Sequence, residues 1–158
     1  MVFLKGYPFG SEAQFHNPKL MEHYEAHWSH PRSVDLWLKT ECVGFTLNVC
    51  CGKSVVGDIK IDLERQLKPT IIADMFHLPF RDKIFETAVC DPPFNYYGSI
   101  KWLHELRRVA KKRIILASNL RRISVGKNWS VRFVISRHKA TMMMKLWQIF
   151  TNKVSVLI

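Results

Sequence analysis

From Gly44 onward the chain alternates brief apolar runs with polar turns. Phe45 to Cys50 predicts a buried strand, stopped by Gly52. Asp58 to Asp62 predicts a second. Thr70 to Ala73 predicts a third, stopped by Asp74, and Glu86 to Cys90 a fourth, stopped by Asp91-Pro92-Pro93. Short apolar segments with polar residues at their carboxyl ends are the pattern of buried parallel strands. Over Ser99 to Lys111 the period changes. Ile100, Leu103, Leu106 and Ala110 recur at helical spacing, and Lys111-Lys112-Arg113 stands where cations suit a helix C-terminus. Arg113 to Ala117 predicts a fifth strand. Val131 to Ile135 and Met142 to Phe150 predict two more, and the short polar link Ser136-Arg137-His138-Lys139 makes them an antiparallel pair.

Upstream, His30-Pro31-Arg32-Ser33 opens a helix through about Glu41, with Val34, Trp37 and Leu38 on one face. Proline suits a first helical turn, where the amide it lacks has no partner. Residues 1–30 are aromatic and polar and predict no definite element. The expectation is a single α/β domain over residues 1–158 with an N-terminal extension. Its sheet is mostly parallel and ends in an antiparallel hairpin.

At 158 residues and 47% apolar content the chain can bury a core. No apolar run approaches the roughly 20 residues of a membrane helix, and the N-terminus carries no signal-peptide pattern. The expected setting is cytoplasmic, with no membrane partner. The net charge of +11 is unevenly placed. Residues 1–100 hold ten Lys/Arg and twelve Asp/Glu, whereas residues 101–158 hold fourteen Lys/Arg and one acid, Glu105. A basic half beside a slightly acidic half points to a polyanionic partner, nucleic acid; the bland alternative is a solvated surface. Arg121, Arg122, Lys127, Arg132, Arg137 and Lys139 are candidate phosphate contacts under the first reading.

The four cysteines, Cys42, Cys50, Cys51 and Cys90, form no CxxC pair. They read as small buried thiols in a reducing compartment. His23, His27 and His30 could share one helical face, but a wet aromatic surface explains them more simply than zinc does. No metal site is expected. The apolar end Val154 to Ile158 points to burial against the domain or a partner, so a homodimer is among the expectations.

Ligands of open α/β sheets bind outside the carboxyl ends of the strands. Cys51-Gly52, Asp62, Asp74 and Asp91-Pro92-Pro93-Phe94 all fall at such ends. One strand-end acid is usually a turn former; three in order, with a glycine turn, form a pattern. Here the chain resembles the Rossmann-like S-adenosylmethionine-dependent methyltransferases. Leu47-Asn48-Val49-Cys50-Cys51-Gly52-Lys53-Ser54 is similar to a weakened form of their first motif. Asp62 matches their acid after strand two, which holds the ribose hydroxyls. Ala73-Asp74-Met75 matches the segment that contacts the adenine. Asp91-Pro92-Pro93-Phe94 resembles the (D/N/S)-P-P-(Y/F/W) motif of amino-methyltransferases, and Glu105-Leu106-Arg107-Arg108-Val109 is similar to their following helix. The resemblance covers about residues 32–150.

It implies S-adenosylmethionine as cofactor, held by Cys50, Cys51, Gly52, Asp62, Asp74 and Met75, and catalysis by Asp91, Pro92, Pro93 and Phe94. It implies the sheet order 3-2-1-4-5-7-6 with strand seven antiparallel. The sequence departs from the family at Asn48, Cys50 and Ser54, where an acid and glycines usually sit. Only about seven residues, Cys51 to Gly57, separate strands one and two. A parallel crossover normally takes a dozen or more with a helix, so the first helix is expected to be missing or reduced.

The tetrapeptide has a chemical rationale. An exocyclic base amine is a poor nucleophile because the ring shares its lone pair. Acceptors that hold its hydrogens favour the attacking geometry and stabilise positive charge developing on nitrogen. Asp91 and the carbonyl of Pro92 could be those acceptors, and Phe94 could stack on an extruded base. The bland alternative is a rigid turn ending a strand. The expected activity is methyl transfer to a nucleic-acid base, with adenine N6 of DNA favoured. Cytosine N4 and RNA guanine N2 or adenine stay open, as does a nucleic-acid-binding protein on a decayed methyltransferase fold.

Overall fold

The computed structural model describes residues 2–4, 13–15, 32–93, 96, 101–118, 125–137 and 144–156. Two short strands, β1 (Val2–Leu4) and β2 (Ala13–Phe15), pair antiparallel within the segment for which the sequence predicts no definite element. Helix α1 spans Arg32–Glu41. The main sheet is built from β3 (Thr46–Val49), β4 (Ile59–Asp62), β5 (Ile71–Ile72), β6 (Phe85–Cys90), β7 (Ala110–Ser118), β8 (Trp129–Arg137) and β9 (Met144–Asn152). Helix α2 (Lys101–Val109) precedes β7.

The sheet order is β5-β4-β3-β6-β7-β9-β8. Neighbours from β5 to β7 are parallel, and β9 is antiparallel to both β7 and β8. Numbered from β3, this is the expected order 3-2-1-4-5-7-6. β3 is buried at all four positions, as a central strand covered on both faces must be.

Alternation along β7 divides the core in two. Ile114 and Leu116 face Trp102, Leu103, Leu106 and Val109 of α2 on one side of the sheet. Ile115 and Ala117 face Val34 and Leu38 of α1, with Trp147 and Ile149, on the other. Trp37 meets Trp147 edge to face, with centroids 5.7 Å apart. Among the described residues no helix is long and apolar enough to cross a membrane.

Several boundaries differ from the sequence expectation. Helix α2 ends at Val109, and Ala110 and Lys111 begin β7 instead of completing the helix. Local propensity favours helix there, but the β6 ladder captures the backbone: Ala110 pairs with Phe85 and, after a bulge, Arg113 pairs with Thr87. Arg107 and Arg108, not Lys111 to Arg113, therefore occupy the last helical turn. Lys83 Nζ donates to the carbonyls of Arg107 and Ala110 and so caps that end. Strands β8 and β9 are longer than their apolar runs, because they pair with each other from Trp129–Asn152 to Arg137–Met144. Met142 and Met143 lie outside the described residues.

The connection from β3 to β4 contains no helix. Side chains hold it instead. Asn48, buried in β3, donates from Nδ2 to the Val56 carbonyl at 3.1 Å. Asp58 Oδ2 accepts from Thr46 N–H at 2.7 Å, while Asp58 N–H donates to the Thr46 carbonyl at 2.9 Å. Gly57 adopts φ +93°, and a Cβ there would come within 3.0 Å of Asn48 Cβ. Asn48 thus ties down the short crossover.

Candidate active site

The carboxyl ends of the strands gather the expected residues along one edge of the sheet. In spatial order these are Asp74 after β5, Asp62 at the end of β4, Cys50 to Gly52 after β3, and Asp91 after β6. Ser118 ends β7 beside Leu146 near the start of β9.

The turn after β3 is tight. Cys50 and Gly52 both have left-handed φ, 54° and 52°. That region is costly for a residue with a Cβ, so Cys50 is held there by its surroundings. Cys51 N–H donates to the Ile61 carbonyl at 3.0 Å, and Gly52 N–H donates to Asp62 Oδ2 at 2.9 Å. The other Asp62 oxygen accepts Glu64 N–H at 3.1 Å. Asp62 is half-buried and fixed by two backbone donors. Each carboxylate oxygen keeps a further acceptor position.

Asp35 completes this loop and was invisible in the sequence pattern. It lies on α1, is buried, accepts Ser54 Oγ–H at 2.8 Å and also accepts Val55 N–H. The Ser54 hydroxyl is the group that Asp35 grips.

Asp74 caps its own turn: Oδ1 accepts Phe76 N–H at 2.9 Å. Its Oδ2 lies 3.9 Å from the exposed His77 ring. Met75 is buried, with Sδ 3.5 Å from Cys50 Sγ. Burial pushes the Cys51 thiol up to about 11, with the Asp62 carboxylate adding to it. Burial likewise pushes the Cys90 thiol upward. Both thiols are protonated near neutrality and poor nucleophiles.

Asp91 has a partner that the sequence did not indicate. Lys145 Nζ, from β9, donates to Asp91 Oδ2. Pro92 is buried, and its carbonyl accepts no hydrogen bond among the described residues. The Pro93 carbonyl accepts Tyr96 N–H at 2.9 Å, and the Tyr96 carbonyl accepts Trp102 Nε1–H at 3.0 Å. Tyr96 also meets Phe76 edge to face, with centroids 5.5 Å apart. An aromatic residue two positions after Asp-Pro-Pro-Phe therefore joins the β5 and β6 ends. Phe94 itself lies outside the described residues.

Of the candidate phosphate contacts, Lys127 is exposed. Arg132 is ion-paired with Glu41, which also meets Arg113. Arg121, Arg122 and Lys139, like the three histidines of 23–30, lie outside the described residues, as does the side chain of Arg137. No group of three or more His, Cys, Asp or Glu is placed to hold a metal ion among the described residues.

No family model matches the chain, and no curated protein matches it. Solved structures do. The chain is similar to the methyltransferase candidate yhhF from Escherichia coli, at 14% identity and a TM-score of 0.51, over 97% of this chain and 98% of that one. The fold is that of Rossmann-like methyltransferases. A SAM-dependent methyltransferase from Aquifex aeolicus aligns over 87% of this chain and 98% of its own, at 13% identity and a TM-score of 0.48. At 14% identity the likeness to yhhF speaks for the fold alone.

Proposed function

We propose that the protein binds S-adenosylmethionine at the carboxyl ends of β3 to β5 and methylates an exocyclic amino nitrogen of a nucleic-acid base, adenine N6 of DNA being the favoured target. The observation that carries this reading is the ordered set Gly52, Asp62, Asp74 and Asp91-Pro92-Pro93 along one edge of a sheet of this topology. The donor set suits the cofactor. Asp62 is held by two backbone N–H groups and keeps acceptor capacity for ribose hydroxyls. Asp74 and Met75 flank the place for adenine, and Cys50 to Gly52 form the turn beneath.

S-adenosylmethionine, when bound, supplies a methyl group activated by a sulfonium centre. The chain's part is to position and stabilise. Asp91 and the Pro92 carbonyl accept the hydrogens of the target amine, so its lone pair points at the methyl carbon. Positive charge would grow on the amine nitrogen as it takes that methyl group, next to the Asp91 and Pro92 acceptors that would stabilise it. The amine proton then leaves through Asp91 to water. Phe94 stacks on the base.

The Lys145–Asp91 pair favours a second reading, a nucleic-acid-binding protein on a decayed methyltransferase fold, since a carboxylate held by a cation is a weaker acceptor. Titration calorimetry with S-adenosylmethionine, followed by transfer of tritiated methyl groups to DNA and RNA in parallel, separates the two. The proposal expects binding and label in DNA. Label in RNA alone moves the substrate to RNA. No binding at millimolar cofactor overturns the enzyme reading and leaves the second.

A further inference from the structure

A recess of about 480 Å³ opens at the opposite end of the sheet from Asp91. It is formed where Lys83 leads into β6, where α2 ends, and where Trp129 of β8 pairs with Asn152 of β9. Its walls include Lys83, His104, Arg107, Arg108, Asn128 and Trp129, and among the described residues no carboxylate lines it.

Two of its cations are already engaged. Arg108 is bound by Glu105 and Asp82 and by the carbonyls of Leu78 and Phe80. Lys83 caps α2. Arg107 differs: among the described residues its guanidinium meets no acceptor, and neither does the His104 ring or the Asn128 amide. Gly126, at φ +110°, leaves room for it, because a Cβ there would lie 3.1 Å from Arg107 Nη2. Burial and the neighbouring Arg107 charge hold the Lys83 ammonium below its usual range, against the opposing pull of the Asp82 carboxylate, which marks Lys83 and Arg107 as two cations close together. Donors outnumber acceptors, which is the chemistry of an anion site.

We infer that this recess binds a phosphodiester of a nucleic-acid strand, with Arg107 as the principal contact and His104 and Asn128 as additional donors. A strand fits better than a free phosphate ester because exposed Lys127 and Lys153 continue the positive surface at the same end. The site is separate from the strand ends that carry Asp91. The six residues of β6 span roughly 20 Å at about 3.3 Å each, or about six nucleotide steps of 3.4 Å. Nucleic acid reaching both ends must extend at least that far, and a shorter oligonucleotide can occupy only one of them.

The test is fluorescence anisotropy of labelled 16-nucleotide single-stranded and duplex DNA across a salt series, without S-adenosylmethionine. Arg107→Gln should weaken binding roughly tenfold or more and flatten the log–log salt slope by about 0.9 on duplex or 0.7 on a single strand. Arg107→Lys should restore the slope. Lys39→Gln on α1, an equal loss of charge, should change neither quantity. Inorganic phosphate should compete with the wild type and far less with Arg107→Gln. Wild-type affinity and slope in a folded Arg107→Gln overturn the proposal, whether or not free phosphate binds. Because no cofactor is present, failure of methyl transfer leaves this result unaffected.

Discussion

Lys145 Nζ on β9 donates to the carboxylate of Asp91 at the end of β6, so the acid of the Asp-Pro-Pro-Phe segment is half of an ion pair. The side chains are 27% and 17% exposed, so the pair is partly shielded from water. The Lys145 ammonium also lies 5.8 Å from the Trp147 ring centroid. Removing one partner of such a pair leaves the other desolvated. Lys145→Met should lower stability by about 1–3 kcal/mol, and the double variant with Asp91→Ala should cost less than the two singles together. A coupling near zero in urea unfolding would show that the pair contributes nothing in solution.

The same contact sharpens the catalytic test. Asp91→Ala should abolish methyl transfer in a folded protein. Asp91→Asn keeps an accepting oxygen but loses the charge, so residual activity there would assign the role to acceptor geometry. Wild-type turnover in Asp91→Ala, on a confirmed nucleic-acid substrate, would remove the mechanism. Phe94→Ala should be milder, since one stacking contact is worth about 1–3 kcal/mol.

The strand ends were legible in the sequence because buried parallel strands end abruptly in polar residues, as at Asp62, Asp74 and Asp91. The missing crossover helix was legible from length alone. The residues that make the short crossover work were not. Asp35 looks like the polar face of an amphipathic helix, and only the fold places it against Ser54. Lys145 is one cation among the fourteen of the basic half, and only the antiparallel return of β9 brings it to β6. The end of α2 was not legible because helix propensity at Ala110 and Lys111 is overridden by pairing with β6, a contact distant in sequence.

Asp35 and Asp62 should differ in what they control. Asp35→Ala removes the acceptor for Ser54 Oγ–H and Val55 N–H, so it should cost about 1–3 kcal/mol of stability and weaken cofactor binding through the loop. Asp35→Asn should recover most of both. Asp62→Ala should weaken S-adenosylmethionine binding by a similar amount, read by calorimetry. Unchanged cofactor affinity in Asp62→Ala would place the ribose elsewhere.

Acid should loosen the segment that leads into β6. Glu105 Oε2 accepts Leu78 N–H at 2.8 Å and Arg108 Nη2–H at 2.7 Å, while Arg108 reaches on to Asp82 and to the carbonyls of Leu78 and Phe80. Hydrogen bonding from Arg108 chiefly holds the Glu105 carboxyl below its usual range, against the opposing effect of burial. A carboxyl depressed in the folded state stabilises the fold above its unfolded value, roughly pH 4.3. That contribution is lost as pH falls through the folded value. Arg108 stays charged throughout, so the loss belongs to Glu105. Glu105→Gln should therefore cost about 1–3 kcal/mol in urea unfolding at pH 7, and its deficit relative to wild type should shrink steadily below about pH 4. Amide exchange at Leu78 should quicken in the variant at pH 7. A deficit that stays constant from pH 7 to pH 3 would mean that the carboxylate charge contributes nothing and that Glu105 acts by packing alone.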